Sequence, residues 1–538
     1  MTSSAIRYSS SHIVHIQSAP STHHPSPITH YSLLVTHYST LVTHQPITQW
    51  DFDGYVTSDC GAVQDVATSH DYTNTTFETV NAVLSAGMDS DCGSYMDQST
   101  METLINNNQD SEEFMGLIDG ALTHLFKVQF RLGFFDPRSK VPFSQWGAEV
   151  VDTDEHRALS KQAADQSLVL LKNDDAALPL SLPAKPTATI KLAVMGRNAN
   201  ATYNMQGNYY GDAPYLISPL QGLTDFDASI ETSYCDGTHT KEAVRLAEKA
   251  DIAILVVGLT SEAVSPSDEA EGNDRDSLIL PYDQDALIEA VSNAVDKVIL
   301  VVMGGGPVDV AQWRDSDKVQ AIMWCGYPGQ DGGTALADAI FGATNPGGKL
   351  TQTWYPEEYT SQVALDDYRM RPNATEGYPG RSYRFYTGEP VFAFGDGMSY
   401  TTFDTTVESQ PATFEHVLSA DALAKDLTTM AQKPLEKAAP VLSVKATVKN
   451  TGARAGAEVV LLYVASPNAG TDGAPLKTLA AFERLQLAAG ESDEAVFELT
   501  AEHLSYVNDQ GERATVHGTW KVWASNDGEE RAVEVTVA

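Results

Sequence analysis

Four nearly continuous apolar runs most constrain what this chain can fold into. They are "IKLAVMG", "DIAILVVGL", "KVILVVMGGG" and "VQAIMWCG". Stretches with apolar residues at helical spacing, such as "TKEAVRLAEKA" and "DQDALIEAVSNAV", separate the runs. Strands that are apolar throughout are typical of parallel sheets, because helices cover both faces of such a sheet. The chain between about residues 160 and 400 is therefore predicted to be α/β, with largely parallel strands.

A shorter strand–helix region precedes these runs and begins near Trp50. "GYVTSD" is predicted to be a strand, and "TTFETVNAVLSAGMDSDCG" a helix followed by a short strand that ends at Asp89 or Asp91. A second helix is predicted around "EEFMGLIDGALTHLFKVQFRLGFF". Its apolar face contains Met115, Leu117, Ile118, Leu122, Leu125 and Phe126. This order places acidic residues at the carboxyl ends of strands, where barrel and open-sheet enzymes carry their chemistry.

The C-terminal part shows a different period. In "VLSVKATVKN" the residues Leu442, Val444, Ala446 and Val448 alternate on one face, and "TWKVWAS" and "AVEVTV" alternate likewise. Short alternating strands separated by turn residues predict a small β-sandwich over residues 440–538. A less ordered linker is predicted for residues 405–439.

The first 48 residues contain seven of the fourteen histidines and repeat "THYSLLV" as "THYSTLV". One interpretation is a metal-binding histidine array. The other is a low-complexity tail, which the lack of nearby acidic or cysteine co-ligands favours.

The overall charge excludes some classes of partner. The net charge is −38, from 72 acidic and 34 basic residues, so nucleic acid and anionic membranes are not expected as partners. No sequence segment is long and apolar enough to predict a membrane span. The four cysteines, Cys60, Cys92, Cys235 and Cys325, lack the CxxC spacing of a zinc or redox site.

The cellular compartment stays open from the residues alone. Asn-x-Thr sequons at Asn74, Asn200 and Asn373 fit a secreted glycoprotein. The N-terminus, however, shows no apolar core of a signal peptide.

Two acidic places are candidates for chemistry. Asp59 follows the predicted strand "GYVTSD", and Glu269 and Glu271 lie in the acid-rich loop "TSEAVSPSDEAEGNDRDSLILP". Glycoside cleavage with retention of configuration uses two carboxylates about 5–5.5 Å apart. The alternatives are that Asp59 only forms a turn and caps the next helix, and that the loop is a solvated surface loop. The patterns alone do not decide between these interpretations.

Ten segments in chain order carry a resemblance to a known family. They are "FDGYVTSDCGAV", "AGMDSDCG", "LFKVQFRLGFFDP", "QSLVLLKND", "NATYNMQGNYYGDAPYLISPLQGL", "EAEGNDRDSLILPYDQ", "GPVDV", "GYPGQDGGTALADAIFG", "PGGKLTQTWYP" and "YRMRPNATEGYPGRSYRFYTGEPVFAFGDGMSYTTF". With these segments, the chain from about residue 49 to its end resembles the C-terminal two-thirds of glycoside hydrolase family 3, especially the β-xylosidase branch. The resemblance implies the C-terminal part of a (β/α)8 barrel over 49–150, an α/β sandwich domain over 151–404, and a fibronectin type III-like domain over 440–538.

The resemblance also implies roles for individual residues. Asp59 falls on the family's nucleophile, and Glu271 on its acid/base, with Glu269 as the second choice because the six residues "AVSPSD" blur the alignment. Cys60 and Cys92 follow neighbouring strand ends, so a disulfide between them is a hypothesis. No metal or organic cofactor is implied. The implied substrates are terminal β-linked sugars of xylan oligosaccharides or aryl β-glycosides, and the implied location is extracellular.

The resemblance leaves one departure. A complete barrel needs about 250 residues, whereas only about 100 family-like residues precede the α/β sandwich domain. The first six strands of the barrel have no counterpart. The alternative to an active glycosidase is therefore a catalytically inactive truncated member, or an incomplete gene model, that acts at most as a carbohydrate-contacting module.

Overall fold

The computed structural model describes most of the chain after residue 51. The described residues are 52–185, 187–261, 270, 273–410, 416–418, 439–508, 511–525 and 529–538. They fall into two compact units, one that ends at Ala148 and one that begins at Glu149. The histidine-rich tail, Glu269 and Glu271 lie outside the described residues. Within the described part, no helix is both long and apolar enough to span a bilayer.

The first unit is a small helical assembly. Its helices are α1 (Ala62–Thr68), α2 (Thr76–Ser85), α3 (Gln98–Asn107) and α4 (Glu112–Arg131). The capping box of α2, in which Thr75 and Glu78 satisfy each other's backbone amides, fixes where that helix begins. A small core forms between α2, α3 and α4 from Val80, Leu84, Leu104, Phe114 and Ile118.

The two strands predicted in this unit are shortened to a single parallel bridge between Thr57 and Ser90. The amides of Asp89 and Ser90 also donate hydrogen bonds to the carbonyl of Val56, so the pairing extends only slightly beyond the bridge. Among the described residues of this unit the two segments pair only with each other, and an isolated pair of strands is marginally stable.

The apolar face predicted for α4 is buried only in its first half. Phe114 and Ile118 are buried, whereas Leu122, Phe126 and Phe130 are exposed. The small core ends near Ile118, so the spacing correctly predicts the helix but not the extent of its burial.

A six-stranded sheet forms the centre of the second unit. Its strands are β1 (Val169–Asn173), β2 (Ile190–Met195), β3 (Ile230–Cys235), β4 (Ile252–Gly258), β5 (Val298–Met303) and β6 (Ala321–Gly326). The order in the sheet is β1-β6-β5-β4-β2-β3, and every pair is parallel except β1 with β6. The four apolar runs are strands β2, β4, β5 and β6, so the α/β prediction is confirmed.

Helices cover both faces of this sheet and bury a core on each. Helices α6 and α10 approach so closely that a Cβ on Gly333 would lie 2.0 Å from the carbonyl oxygen of Ser218, so only glycine fits there. The helices are α5 (Asp154–Ser167), α6 (Pro219–Asp225), α7 (Thr240–Ala247), α8 (Gln284–Ser292), α9 (Ala311–Arg314), α10 (Gly332–Ile340), α11 (Tyr359–Gln362) and α12 (Ser382–Phe385).

The C-terminal part of the second unit is a β-sandwich. Leu442, Val444, Ala446 and Val448 are buried, so the alternating pattern and the sandwich are confirmed. One sheet has the order β11-β10-β15-β16-β8 and the other β12-β9-β7, with β13 and β14 as a separate hairpin. The strands are β7 (Phe403–Gln410), β8 (His416–Leu418), β9 (Leu442–Asn450), β10 (Gly456–Ala465), β11 (Thr478–Leu487), β12 (Ser492–Leu499), β13 (Tyr506–Val507), β14 (Arg513–Ala514), β15 (Gly518–Ala524) and β16 (Val533–Val537).

Strands β7 and β8 lie in the segment predicted to be a linker. β7 pairs with β9 along its whole length, and β8 adds to β16 in the parallel direction. Two parts of the predicted linker are therefore strands of the sandwich, one in each sheet.

The sandwich packs tightly against the α/β domain. Lys349 of the α/β domain forms an ion pair of 3.3 Å with Glu458 of the sandwich, and only 11% and 4% of the two side chains are exposed. Tyr383 and Phe394 pack against a cluster of buried sandwich residues that contains Tyr463. The hydroxyl of Tyr383 also accepts a hydrogen bond of 3.1 Å from the amide of Leu479. Buried polar contacts and apolar packing thus join the two domains.

Candidate functional site

Asp59 lies between the Thr57–Ser90 bridge and helix α1, in a segment held to residues 90–92 from several sides. The amide of Ser58 donates to the carbonyl of Ser90 at 2.9 Å, and that of Gly61 donates to the carbonyl of Cys92 at 2.7 Å. A disulfide joins Cys60 to Cys92, so the predicted pairing is confirmed. The residue next to Asp59 is therefore covalently fixed.

Asp59 does not cap helix α1. The N-cap is Gly61, whose φ of 82° lies in the left-handed region, and no side chain caps the helix. The Asp59 carboxylate is exposed, and its Oδ1 accepts a bond of 2.8 Å from the adjacent amide of Cys60. It forms no ion pair with any residue that the structure describes. The helix-cap interpretation is wrong, and the carboxylate is open to a ligand.

The buried carboxylate of Asp89 contacts the segment that precedes Asp59. Only 5% of its side chain is exposed; Oδ1 lies 2.9 Å from Nδ1 of His124, on helix α4. Oδ2 accepts a bond of 2.8 Å from the amide of Val56. Asp89 therefore joins the segment before Asp59 to helix α4. Sequence reasoning did not assign this contact, because His124 lies far away along the chain.

Ser58 and Asp91 complete this support. The Ser58 hydroxyl accepts a bond of 2.9 Å from the amide of Cys92, and the Asp91 carboxylate accepts one of 3.0 Å from the amide of Met96. The Ser58 contact holds the backbone just before Asp59, and the Asp91 contact holds the segment that faces it.

The cations at the surface of this unit bind a different acid. Arg131 and Lys127 both form ion pairs with Asp53, and these contacts hold the pKa of the Asp53 carboxyl well below its usual range. Asp53 thus holds the C-terminal turns of α4 through two exposed ion pairs, which the sequence analysis did not predict.

Glu269 and Glu271 lie outside the described residues of their loop, so their proposed partnership with Asp59 stays a prediction. Both ends are fixed by Gln284, the first residue of α8. Its side-chain amide exchanges two bonds of 2.9 Å with the backbone of Gly258, and it donates a third, also 2.9 Å, to the carbonyl of Pro281. Buried Asn198 donates 2.9 Å to the carbonyl of Leu259, beside Gly258. Gln284 thus holds the residues before and after the loop close to each other.

Nowhere in the part of the chain that the structure describes are three or more His, Cys, Asp or Glu side chains grouped to hold a metal ion.

The disulfide beside Asp59 gives a first prediction. Denatured, unreduced protein is expected to show two reactive thiols, Cys235 and Cys325, and four after reduction. Four thiols before reduction would contradict the pairing. Replacing Cys60 and Cys92 by serine should lower the free energy of unfolding of the first unit by about 3 kcal/mol, because the bond closes a long loop in the unfolded chain. Dithiothreitol should destabilise the wild type but not the double variant, as measured by urea denaturation.

Comparison with known proteins identifies two family matches. Residues 168–400 match the glycosyl hydrolase family 3 C-terminal domain, and residues 458–527 match a fibronectin type III-like domain. These matches cover the α/β sheet and most of the sandwich.

Individual relatives extend the similarity to the first unit. The chain is 38% identical over 491 residues to a β-xylosidase/α-L-arabinofuranosidase 1 of Medicago sativa subsp. varia, which covers 89% of this chain and 61% of the relative. It is 37% identical to β-D-xylosidase 3 of Arabidopsis thaliana, over 87% of this chain and 61% of the relative. The chain thus spans about three-fifths of the length of these curated relatives.

Solved structures show the same extent of similarity. A GH3 exo-β-xylosidase (XlnD), in complex with a xylobiose aziridine activity-based probe, superposes with a TM-score of 0.80 at 33% identity, over 90% of this chain and 61% of the other. A β-glucosidase from Listeria innocua, in complex with glucose, gives 0.73 at 25% identity, over 94% and 65%.

Proposed function

Because the chain belongs to glycoside hydrolase family 3, we propose that it takes part in the hydrolysis of terminal β-linked sugars, with β-xylosides as the preferred class. The observation that carries the proposal is Asp59, an exposed carboxylate without an ion pair to described residues, on a segment fixed by a disulfide and by buried Asp89. Such a carboxylate is free to attack, and its backbone is held in place.

The proposed mechanism retains the configuration of the sugar. A carboxylate oxygen of Asp59 bonds to the anomeric carbon as the bond from that carbon to the leaving oxygen breaks, and Glu271 gives its proton to the leaving oxygen. Glu271, now ionised, takes a proton from water, and the water oxygen bonds to the anomeric carbon while the ester to Asp59 breaks. Glu269 is the second choice for the acid/base role. The two steps return both carboxyl groups to their starting states, and no metal or organic cofactor enters them.

The names of the relatives support xylosides as substrates. The two plant proteins described above are a β-xylosidase/α-L-arabinofuranosidase and a β-D-xylosidase, and the XlnD structure contains a xylobiose-derived probe. We therefore propose terminal xylose residues of xylan oligosaccharides, or aryl β-xylosides, as substrates. The exposed sequons at Asn74 and Asn200 support an extracellular location.

A second candidate is a catalytically inactive protein that at most contacts carbohydrate. The exposed apolar residues Leu122, Phe126 and Phe130 of α4, and the single bridge of the first unit, favour it. A site without the contacts that orient substrate would place it poorly, and an error of 1 Å can cost about 10²-fold in rate.

Activity of the purified 538-residue chain on aryl β-xyloside and aryl β-glucoside separates the two candidates. Activity that is lost on replacing Asp59 would contradict the inactive protein. No activity with either substrate would contradict the glycosidase. Sequencing a full transcript would show whether coding sequence for further barrel strands precedes Trp50.

A further inference from the structure

An arginine lies against a tyrosine ring at the carboxyl edge of the central sheet. Cζ of Arg197 is 3.8 Å from the ring centroid of Tyr282, and 41% of the tyrosine is exposed. Within the described residues no carboxylate forms an ion pair with half-buried Arg197, and no oxygen accepts a hydrogen bond from its guanidinium. Asp236, which follows the neighbouring strand β3, accepts hydrogen bonds from the amide and the hydroxyl of Thr238 instead. The ring thus orients the guanidinium, whose N–H groups can bind a ligand.

The two residues lie where open α/β sheets bind their ligands. Strand β2 pairs with β3 on one side and with β4 on the other. The chain therefore leaves β2 towards one edge of the sheet and leaves β4 towards the opposite edge. Ligands of such sheets bind outside the carboxyl ends of the strands at this point of reversal. Arg197 lies just after β2, and Tyr282 lies in the connection from β4 to α8.

The backbone beside Arg197 is held to the end of β4. The amide of Asn198, which is fully buried, donates to the carbonyl of Val256 at 3.2 Å. The side chain of Asn198 donates to the carbonyl of Leu259 at 2.9 Å. Arg197 is therefore attached to a rigid part of the sheet, which limits the freedom that it would lose on binding a ligand.

Tyr282 is held in a conformation that favours glycine. Its φ of 62° lies in the left-handed region, which a bulky side chain rarely adopts. The side chain of Gln284 holds the carbonyl of Pro281, the preceding residue, and both backbone groups of Gly258 at the end of β4. Residues kept in strained conformations cluster at functional sites, where the surrounding contacts maintain them.

We propose that Arg197 and Tyr282 form a binding site for a sugar that carries a carboxylate, such as a uronic acid. The guanidinium donates two parallel hydrogen bonds to the carboxylate, as its planar fork allows. The exposed part of the tyrosine ring packs against the apolar face of the sugar ring. This inference goes beyond the proposed function, because the site consists of residues of the α/β domain alone and does not use Asp59.

Two methyl glycosides test the role of the arginine. Methyl β-D-glucuronoside and methyl β-D-glucoside differ only in having a carboxylate or a hydroxymethyl group on the ring. Titration calorimetry of the full chain at about 0.15 M salt, which screens distant charges, should give the glucuronoside a Kd about tenfold lower. Arg197→Ala should remove this difference, whereas Arg245→Ala, which removes an exposed arginine of α7, should keep it. Equal affinities in the wild type, no binding of the glucuronoside at tens of millimolar, or the same result for both variants would overturn the site.

Tyr282→Asn tests the role of the ring. Asparagine tolerates the left-handed backbone, so the variant should fold, which circular dichroism checks. Its Kd for the glucuronoside should rise about fivefold, and the wild type should bind acetate, a carboxylate without a sugar ring, more weakly than the glucuronoside. Unchanged glucuronoside binding in Tyr282→Asn, or equal binding of acetate, would contradict a sugar site. Selective glucuronoside binding by a chain that hydrolyses neither xyloside nor glucoside would support this site and contradict only the proposed function.

Discussion

Asp59→Ala is expected to lower kcat/KM on an aryl β-xyloside on the order of 10⁴-fold, because the variant cannot form the ester that divides the reaction into two easier steps. The segment around residue 59 should stay folded, since the disulfide and Asp89 hold it without using the Asp59 side chain beyond one local bond. Steady-state kinetics and circular dichroism on the same preparations measure the two effects.

Azide distinguishes a nucleophile from any other essential residue. In Asp59→Ala, azide should bond to the anomeric carbon as the aryl oxide leaves, giving the α-xylosyl azide and restoring turnover. Asp65→Ala is the control, because Asp65 is an exposed acid of the neighbouring helix α1. A β-configured azide product, or full activity in Asp59→Ala, would contradict the assignment of Asp59 as the nucleophile.

The second large effect is expected at the boundary between the α/β domain and the sandwich. Lys349→Met should lower the free energy of unfolding by about 4 kcal/mol, because the buried Glu458 carboxylate loses the positive charge of Lys349. The variant also loses the bond of 2.8 Å from Lys349 to the carbonyl of Gly397. Urea denaturation followed by tryptophan fluorescence measures the change.

Lys521→Met is the matched control for this prediction. Lys521 forms an ion pair of 2.8 Å with Glu529, but 45% and 57% of these side chains are exposed. Loss of such a surface pair should cost less than about 1 kcal/mol. Similar losses in the two variants would show that the boundary pair is no more important than a surface pair.

The central sheet could be predicted from the sequence because its strands are apolar on both faces. Strands β2, β4, β5 and β6 are continuous apolar runs, and the structure places them as neighbours in a largely parallel sheet. Strand β3, "IETSYC", is more polar and lies at the edge of the sheet, so a search for apolar runs does not find it. Strand β7, "FDTTVESQ", is missed for the same reason.

The candidate site was predictable only in part. The pattern "SDCG" leaves Asp59 open as a cap or a nucleophile; the left-handed Gly61 at the N-cap decides against the cap. The contact of Asp89 with His124 joins residues on separate elements, so no local pattern contains it. The hydrogen bond from the Leu278 amide to the Glu357 carboxylate likewise joins residues 79 positions apart. Spacing along the chain finds side chains with suitable chemistry, whereas their supports come from the folded chain.

Strands β7 and β8 have a practical consequence for anyone who divides this protein into fragments. A recombinant fragment begun at residue 440 would still contain most strands of the sandwich, but it would lose β7 from one sheet and β8 from the other. The edges of β9 and β16 would then have unpaired backbone groups. Such edges can pair between copies of the fragment, which leads to aggregation. A cloning boundary ahead of Phe403 keeps both edges covered. A fragment that contains the sandwich should therefore include β7 and β8.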